Sequence, residues 1–290
     1  METKLNSKGK RFFAQTLAAG LALAMALTLT SCGRPDDGGG GESNNIGGGS
    51  QNGGGLPSSS GGGSSSSRNS EPSPNASSSS RQSGAISGAP VSYGGETYET
   101  VVIGTQTWFK RNLNYNPGTG ISACYNNEAS NCNTYGRLYD WSTAMDFEAS
   151  CNSASCSGQV GAKHQGVCPS GWRIPNNADW DKLMRYVDGS TGASSPYTSS
   201  TAGKYLKATS GWDSYSGIVN LDTYGFSALP GGSSYSYGSF SSVGTFGGWW
   251  SASESGSIYA YSRDVSYDYE GTGYYGGFKS NLYSVRCVQD

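Results

Sequence analysis

Seven cysteines and one histidine hold most of the reactive chemistry in this chain of 290 residues. His164 stands alone, in the polar stretch Lys163-His164-Gln165-Gly166 that reads as an exposed loop. A single imidazole makes a histidine metal centre, or Ser-His-Asp or Cys-His catalysis, hard to assemble. Setting Cys32 aside leaves Cys124, Cys132, Cys151, Cys156, Cys168 and Cys287. An even count in an exported chain implies disulfides. Spacing favours Cys124–Cys132 and Cys151–Cys156 as local loops, which leaves Cys168 for Cys287 across more than 100 residues. Closing a loop that long is worth about 4–5 kcal/mol in the chain-entropy model. The alternative is zinc, for which Cys151 and Cys156 could supply two ligands, but no CxxC pair supports it.

The carboxylates are scattered. A glycosidase needs two of them about 5–9.5 Å apart, and nothing in the order of Asp213, Asp222 and Glu254 brings them together. Asp264, Asp268 and Glu270 fall within one short stretch, yet the sixth-position Gly and twelfth-position Glu of an EF-hand loop are missing. A solvated acidic loop is the expected reading, with calcium as the alternative. No G-x-x-x-x-G-K-[ST] phosphate cradle occurs.

The other group that could act is aromatic. Residues 231–280 hold 11 Gly, 13 Ser and 8 Tyr, with Trp249 and Trp250 beside them. Recognition loops favour this composition, because Tyr offers a rigid amphipathic face while Ser and Gly adapt around it. Such faces also suit sugar rings, which are apolar on C–H faces and hydroxylated at their edges. The expected surface is centred on Tyr235, Tyr237, Tyr267, Tyr269, Tyr274 and Tyr275. The competing reading is that aromatics alternating along strands fill the core; Tyr259 and Tyr261 share one parity and one side.

These residues need a carrier, and the chain divides into three parts. Residues 1–31 have a basic flank (Lys4, Lys8, Lys10, Arg11) and an uncharged apolar run from Leu17 to Leu29, the layout of a secretory signal. The run closes in Leu29-Thr30-Ser31-Cys32, which resembles a bacterial lipobox and makes Cys32 the expected lipidated residue. Two or more acyl chains anchor stably to a membrane. Gly33 follows rather than Asp, which points to the outer membrane or cell surface. From there to residue 90 the chain is a tether: 33 of the 58 residues after Cys32 are Gly or Ser. Such a stretch buries too little surface to offset its ordering cost, and its relaxed span is roughly 40 Å.

The third part, residues 91–290, holds all 20 Tyr, all 7 Trp and 6 of the 8 Phe, ample for a core. Without residues 1–31 the chain carries 15 basic and 20 acidic groups, which argues against nucleic acid and against anionic lipid surfaces. Tyr98–Ile103 and Gln106–Phe109 flank Gly104-Thr105 and read as a hairpin. Gly136–Met145 has helical spacing. A better helix starts after Pro175, with Asn176 or Asn177 as cap, Trp180, Leu183, Met184 and Val187 on one face, and Gly189 as its end. Strands are expected at Gly225–Pro230, Trp249–Ser255, Ile258–Val265 and Asn281–Val288. Hairpin, helices and then mostly strands make an α+β module.

Seven segments occur in a fixed order: Ile103-Gly-Thr-Gln-Thr-Trp108, Tyr135-Gly-Arg-Leu-Tyr-Asp-Trp141, Cys168-Pro-Ser-Gly-Trp-Arg-Ile-Pro175, Lys207-Ala-Thr-Ser-Gly-Trp212, Tyr224-Gly-Phe-Ser-Ala-Leu-Pro-Gly-Gly232, Trp249-Trp-Ser-Ala-Ser-Glu254 and Ser284-Val-Arg-Cys-Val288. Together they resemble the Fibrobacter succinogenes major paralogous domain, a family of exported bacterial modules, over essentially all of 95–290. The family has no established activity. Its motifs look like the C-type-lectin-like fold, which formylglycine-generating enzymes share. That resemblance implies short helices, antiparallel strands and disulfides. It departs at Arg173, where the family commonly has His. Lectin-like folds often bind calcium, but the Glu-Pro-Asn triplet of calcium-dependent sugar binders is missing. Formylglycine generation needs two closely spaced late cysteines, and here Cys287 stands alone. The resulting expectation is a non-catalytic, surface-displayed lipoprotein that binds a polysaccharide or a surface protein in an adhesion-type role. A structural envelope component is the alternative, and a carbohydrate-processing enzyme the third reading.

Overall fold

The computed structural model of the chain describes residues 85–290 except Ser236 and Tyr237. The signal, Cys32, most of the tether and Tyr237 therefore lie outside the described residues. The module opens with β1 (Ile86–Ser87), a small β2–β3 hairpin (Val91–Tyr93, Glu96–Tyr98) and the β4–β5 hairpin (Thr100–Ile103, Gln106–Phe109). Next come β6 (Ser122–Ala123), α1 (Ala129–Tyr135), β7 (Leu138–Tyr139), α2 (Trp141–Ala144), β8 (Trp172–Arg173), α3 (Asn177–Asp188) and α4 (Ala202–Leu206). The last third is strands: β9 (Gly231–Ser234), β10 (Phe240–Val243), β11 (Phe246–Glu254), β12 (Tyr259–Ser266), β13 (Gly273–Phe278), β14 (Tyr283–Ser284) and β15 (Val288–Gln289). The architecture is α+β with mostly antiparallel pairing.

One sheet runs β1-β4-β5-β15-β8, so the last strand of the chain is an interior strand. The larger sheet runs β10-β9-β11-β14-β7-β6, with β12 on the other edge of β11 and β13 outermost. The cores follow from strand alternation. Neighbouring tryptophans on β11 face opposite ways, so Trp249 packs with Trp108, Trp180 and Phe226, while Trp250 packs with Trp141, Tyr139 and Tyr283. Trp108 and Phe109 divide in the same manner on β5. All three disulfides match the pairings that spacing favoured: Cys124–Cys132, Cys151–Cys156 and Cys168–Cys287. The second and third lie in the Trp141–Trp250 core.

Helix α3 forms as its sequence dictates. Asn176 Oδ1 accepts the Asp179 N–H at 3.0 Å and Asp179 Oδ2 accepts the Asn176 N–H at 3.1 Å, a reciprocal capping box. Gly189 ends the helix at φ +80°, a conformation open to glycine. Three expectations need correction. Gly136–Met145 is not one helix: Gly136, at φ +79°, stops α1, Leu138–Tyr139 pair as a strand, and α2 restarts behind an Asp140 cap. The helical spacing of Leu138 and Trp141 arises because both are buried, in different cores. Gly225–Pro230 makes a single bridge, Ala228 to Lys207, because Ser227 sits at φ +53° and turns the chain. Asn281–Val288 is two short strands, with Val285–Cys287 crossing from one sheet to the other.

Candidate functional site

Buried cations brace the strands and loops that carry the candidate surface. Lys279 is fully buried, and its Nζ donates to the carbonyl oxygens of Cys151, Ala154 and Ser257 at 2.9–3.0 Å and to Glu254 Oε1 at 2.8 Å. One ammonium thus ties the Cys151–Cys156 loop to the ends of β11 and β13. Burial works against the Glu254 charge, but bonds from Lys279, Ser155 and the Cys156 N–H outweigh it and hold the carboxyl below its usual range. Arg263 on β12 reaches Asp181 on α3 at 2.9 Å. Arg286 donates to Asn112 Oδ1 and to the Phe109 and Phe226 carbonyls, and burial pulls its pKa down to about 9.

The tyrosines expected to form one surface divide among several places. On β13 they alternate in face but both are exposed: Tyr274, 37% exposed, pairs with Arg263 and lies beside Tyr261 at 5.9 Å, and Tyr275, 64% exposed, pairs with Ser262. Tyr235 is exposed at the end of β9, and Tyr269 is exposed in the β12–β13 loop. Tyr259, which shares parity with Tyr261, meets exposed Phe278 in a tilted ring contact at 4.7 Å. Tyr267 lines a groove of about 270 Å³ with Trp212, Asp213, Tyr215 and Asn220. Tyr215 and Tyr267 meet edge to face at 5.5 Å, and Trp212 is fixed by its Nε1 donating to the Ala228 carbonyl at 3.0 Å. Trp212 sits in one of the seven motifs, but the contribution of Tyr215 and Asn220 could not be seen without the fold. Tyr215 and Asn220 lie 52 and 47 residues before Tyr267 in the sequence.

The acidic stretch is a solvated loop only in part: Asp268 and Glu270 lie in the β12–β13 loop, with Asp268 exposed, whereas Asp264 does not. Asp264 is on β12 with 9% exposure, and one of its oxygens, Oδ1, is buried without a hydrogen-bond partner. Burial raises its pKa to about 7, against a smaller opposing effect of Arg263. Gly273, opposite on β13, leaves room for this carboxyl, since a Cβ there would lie 2.7 Å from Asp264 Oδ2 and displace it. Glu270 instead pairs with Lys204 at 2.9 Å, and Asp268 accepts from Ser266 Oγ at 2.6 Å. The centre of the 266–270 loop is held by Lys207, whose Nζ donates to the Ser266 and Tyr269 carbonyls at 2.7 and 2.8 Å. Burial lowers that ammonium to about 8. Among the described residues no three His, Cys, Asp or Glu side chains gather as a metal site. The same disposition leaves Asp264, Asp268 and Glu270 with separate neighbours.

The remaining acids are also apart. Asp222 accepts from the Ser227 N–H and Oγ, Glu254 is engaged by Lys279, and Asp213 is exposed at the groove. His164 is not an exposed loop residue; it is half-buried against Phe147 at 4.8 Å, with Nε2 at 2.7 Å from the Met145 carbonyl. Arg173 grips Asp179 through two nitrogens and the Gln289 carbonyl through a third contact, tying the α3 cap to β15. Cys287, the late cysteine, is bonded to Cys168.

This chain belongs to the family described as the Fibrobacter succinogenes major domain, whose family model matches residues 101–289. No curated protein and no solved structure matches it.

Proposed function

We propose that the chain is an exported lipoprotein, lipidated at Cys32, whose C-type-lectin-like module binds an extracellular polymer at the outer membrane or cell surface. The observation that carries this reading is the Trp212–Tyr215–Tyr267 groove on a scaffold stapled by three disulfides and internal ion pairs. Rigid aromatics beside small polar residues are what recognition surfaces use, because little entropy is lost when they are covered. Exposed Tyr235, Tyr269 and Tyr275 extend the same chemistry beyond the groove. The basic-apolar leader and lipobox-like Leu29–Cys32 support export and anchoring.

The test is retention of the full chain on insoluble polysaccharides and on immobilised surface proteins. Retention on either, weakened in the Tyr267→Ala, Tyr275→Ala double variant with the fold intact, supports recognition. Retention on neither favours a structural envelope role, and turnover of a glycan makes the chain an enzyme.

A further inference from the structure

We infer that the groove between the 209–220 loop and Tyr267 is a subsite for one neutral sugar ring; this rests on the binding role proposed above and names its ligand class. Three properties of the lining lead there. The first is size. At about 270 Å³ it falls just below the roughly 300–1,000 Å³ of pockets for drug-sized ligands, which suits a single ring of a longer chain.

The second is the disposition of the rings. Tyr215 and Tyr267 stand edge to face, so the groove offers two non-parallel aromatic surfaces rather than a flat stack. A pyranose has an apolar C–H face and a polar rim, and this arrangement covers the face while leaving the rim to polar groups. Trp212 is locked in place: its Nε1 is engaged, its ring lies 5.4 Å from the Lys207 ammonium, and Gly247 packs against it. Little ordering remains to be done when a ligand arrives.

The third is the sense of the hydrogen bonding. Asp213 offers carboxylate oxygens, and its own N–H is tied to the Gly244 carbonyl at 2.8 Å, which fixes its backbone. Asn220 also lines the groove, with its Oδ1 buried behind the surface and without a hydrogen-bond partner. Asp213 accepts only, while the Asn220 amide and the Thr209 and Ser214 hydroxyls of the same lining both donate and accept, a mixed set that sugar hydroxyls, themselves donors and acceptors, can satisfy. The one ionised group on the lining is negative, which disfavours uronic acids and sulfated sugars. Lys207, the nearby cation, has its ammonium committed to two carbonyls.

The experiment uses the full chain with four probes: cellotetraose, mannotetraose, tetragalacturonate and a glucosamine tetramer. Saturation-transfer NMR and titration calorimetry are expected to detect a neutral tetrasaccharide, through its ring C–H protons, in preference to the galacturonate. Tyr215→Ala, Tyr267→Ala and Asp213→Asn should each weaken that binding about tenfold with circular dichroism unchanged. Tyr215 is 50% exposed, so its variant is not expected to unfold the module. Preference for the galacturonate or for the amine, indifference to all three substitutions, or no binding of either neutral probe overturns the subsite. If the chain is still retained on a polymer or protein in those cases, the binding role stands without this ligand. Loss of all retention removes both.

Discussion

Single residues in this module reveal themselves through the charges they bury. Asp264 has a folded pKa raised to about 7 from an ordinary value of 3.8. Its ionisation is therefore disfavoured in the folded state, and stability falls as pH rises from about 4 through 7, by at most about 4 kcal/mol. Glu254, held low, acts in the opposite sense: its contribution is present above the normal glutamate range and is lost in acid. Thermal melts between pH 5 and 8 should show stability declining toward pH 8. Asp264→Asn should abolish most of that decline; an unchanged slope would assign it to another group. Lys279→Met leaves three carbonyls and a carboxylate without their donor, and a loss of about 3–5 kcal/mol is expected in denaturant unfolding. None of this was visible in the chain order, because Asp264 and Lys279 look like surface residues in a polar, glycine-rich stretch. The cysteine pairs were legible, since few partners were available and spacing separated them.

Elements were legible where local chemistry and periodicity agreed. Helix α3 has an apolar face, a reciprocal cap and a glycine stop, all pointing to one structure. Asn176→Ala is expected to cost about 1 kcal/mol, measurable as a shift of the urea midpoint with an unchanged slope. The hairpin of β4 and β5 was equally plain, from β-prone runs around Gly104 at φ +63°. Where burial alone produced the spacing, as at Leu138 and Trp141, a helix and two separate elements look the same. Within the tyrosine-rich segment, Trp249–Ser255 and Ile258–Val265 were legible as strands, whereas β9, β10 and β13 were not, and which face each ring takes depends on the register of β12 with β13. That register sets Tyr274 over Arg263 and turns Tyr275 to the other face, with both rings at the surface. The groove was the least legible feature, because its ring pair joins segments far apart in sequence.

At the scale of the molecule, two predictions concern how the parts are joined. Replacing Cys168 and Cys287 with alanine opens a link spanning 119 residues, and the chain-entropy model gives a loss of about 4–5 kcal/mol in equilibrium unfolding. A near-zero change would mean that packing alone holds β15. Replacing Cys32 with alanine is expected to move the chain from the membrane fraction to the soluble fraction and to end incorporation of labelled fatty acid. The position of β15 between β5 and β8 has a further consequence. Val288 pairs with Trp108, so the first sheet stays split until segments 180 residues apart in sequence have met, a closure of high contact order that comes late in folding. A chain clipped within β15 would lose the keystone between β5 and β8 and lie open to further proteolysis.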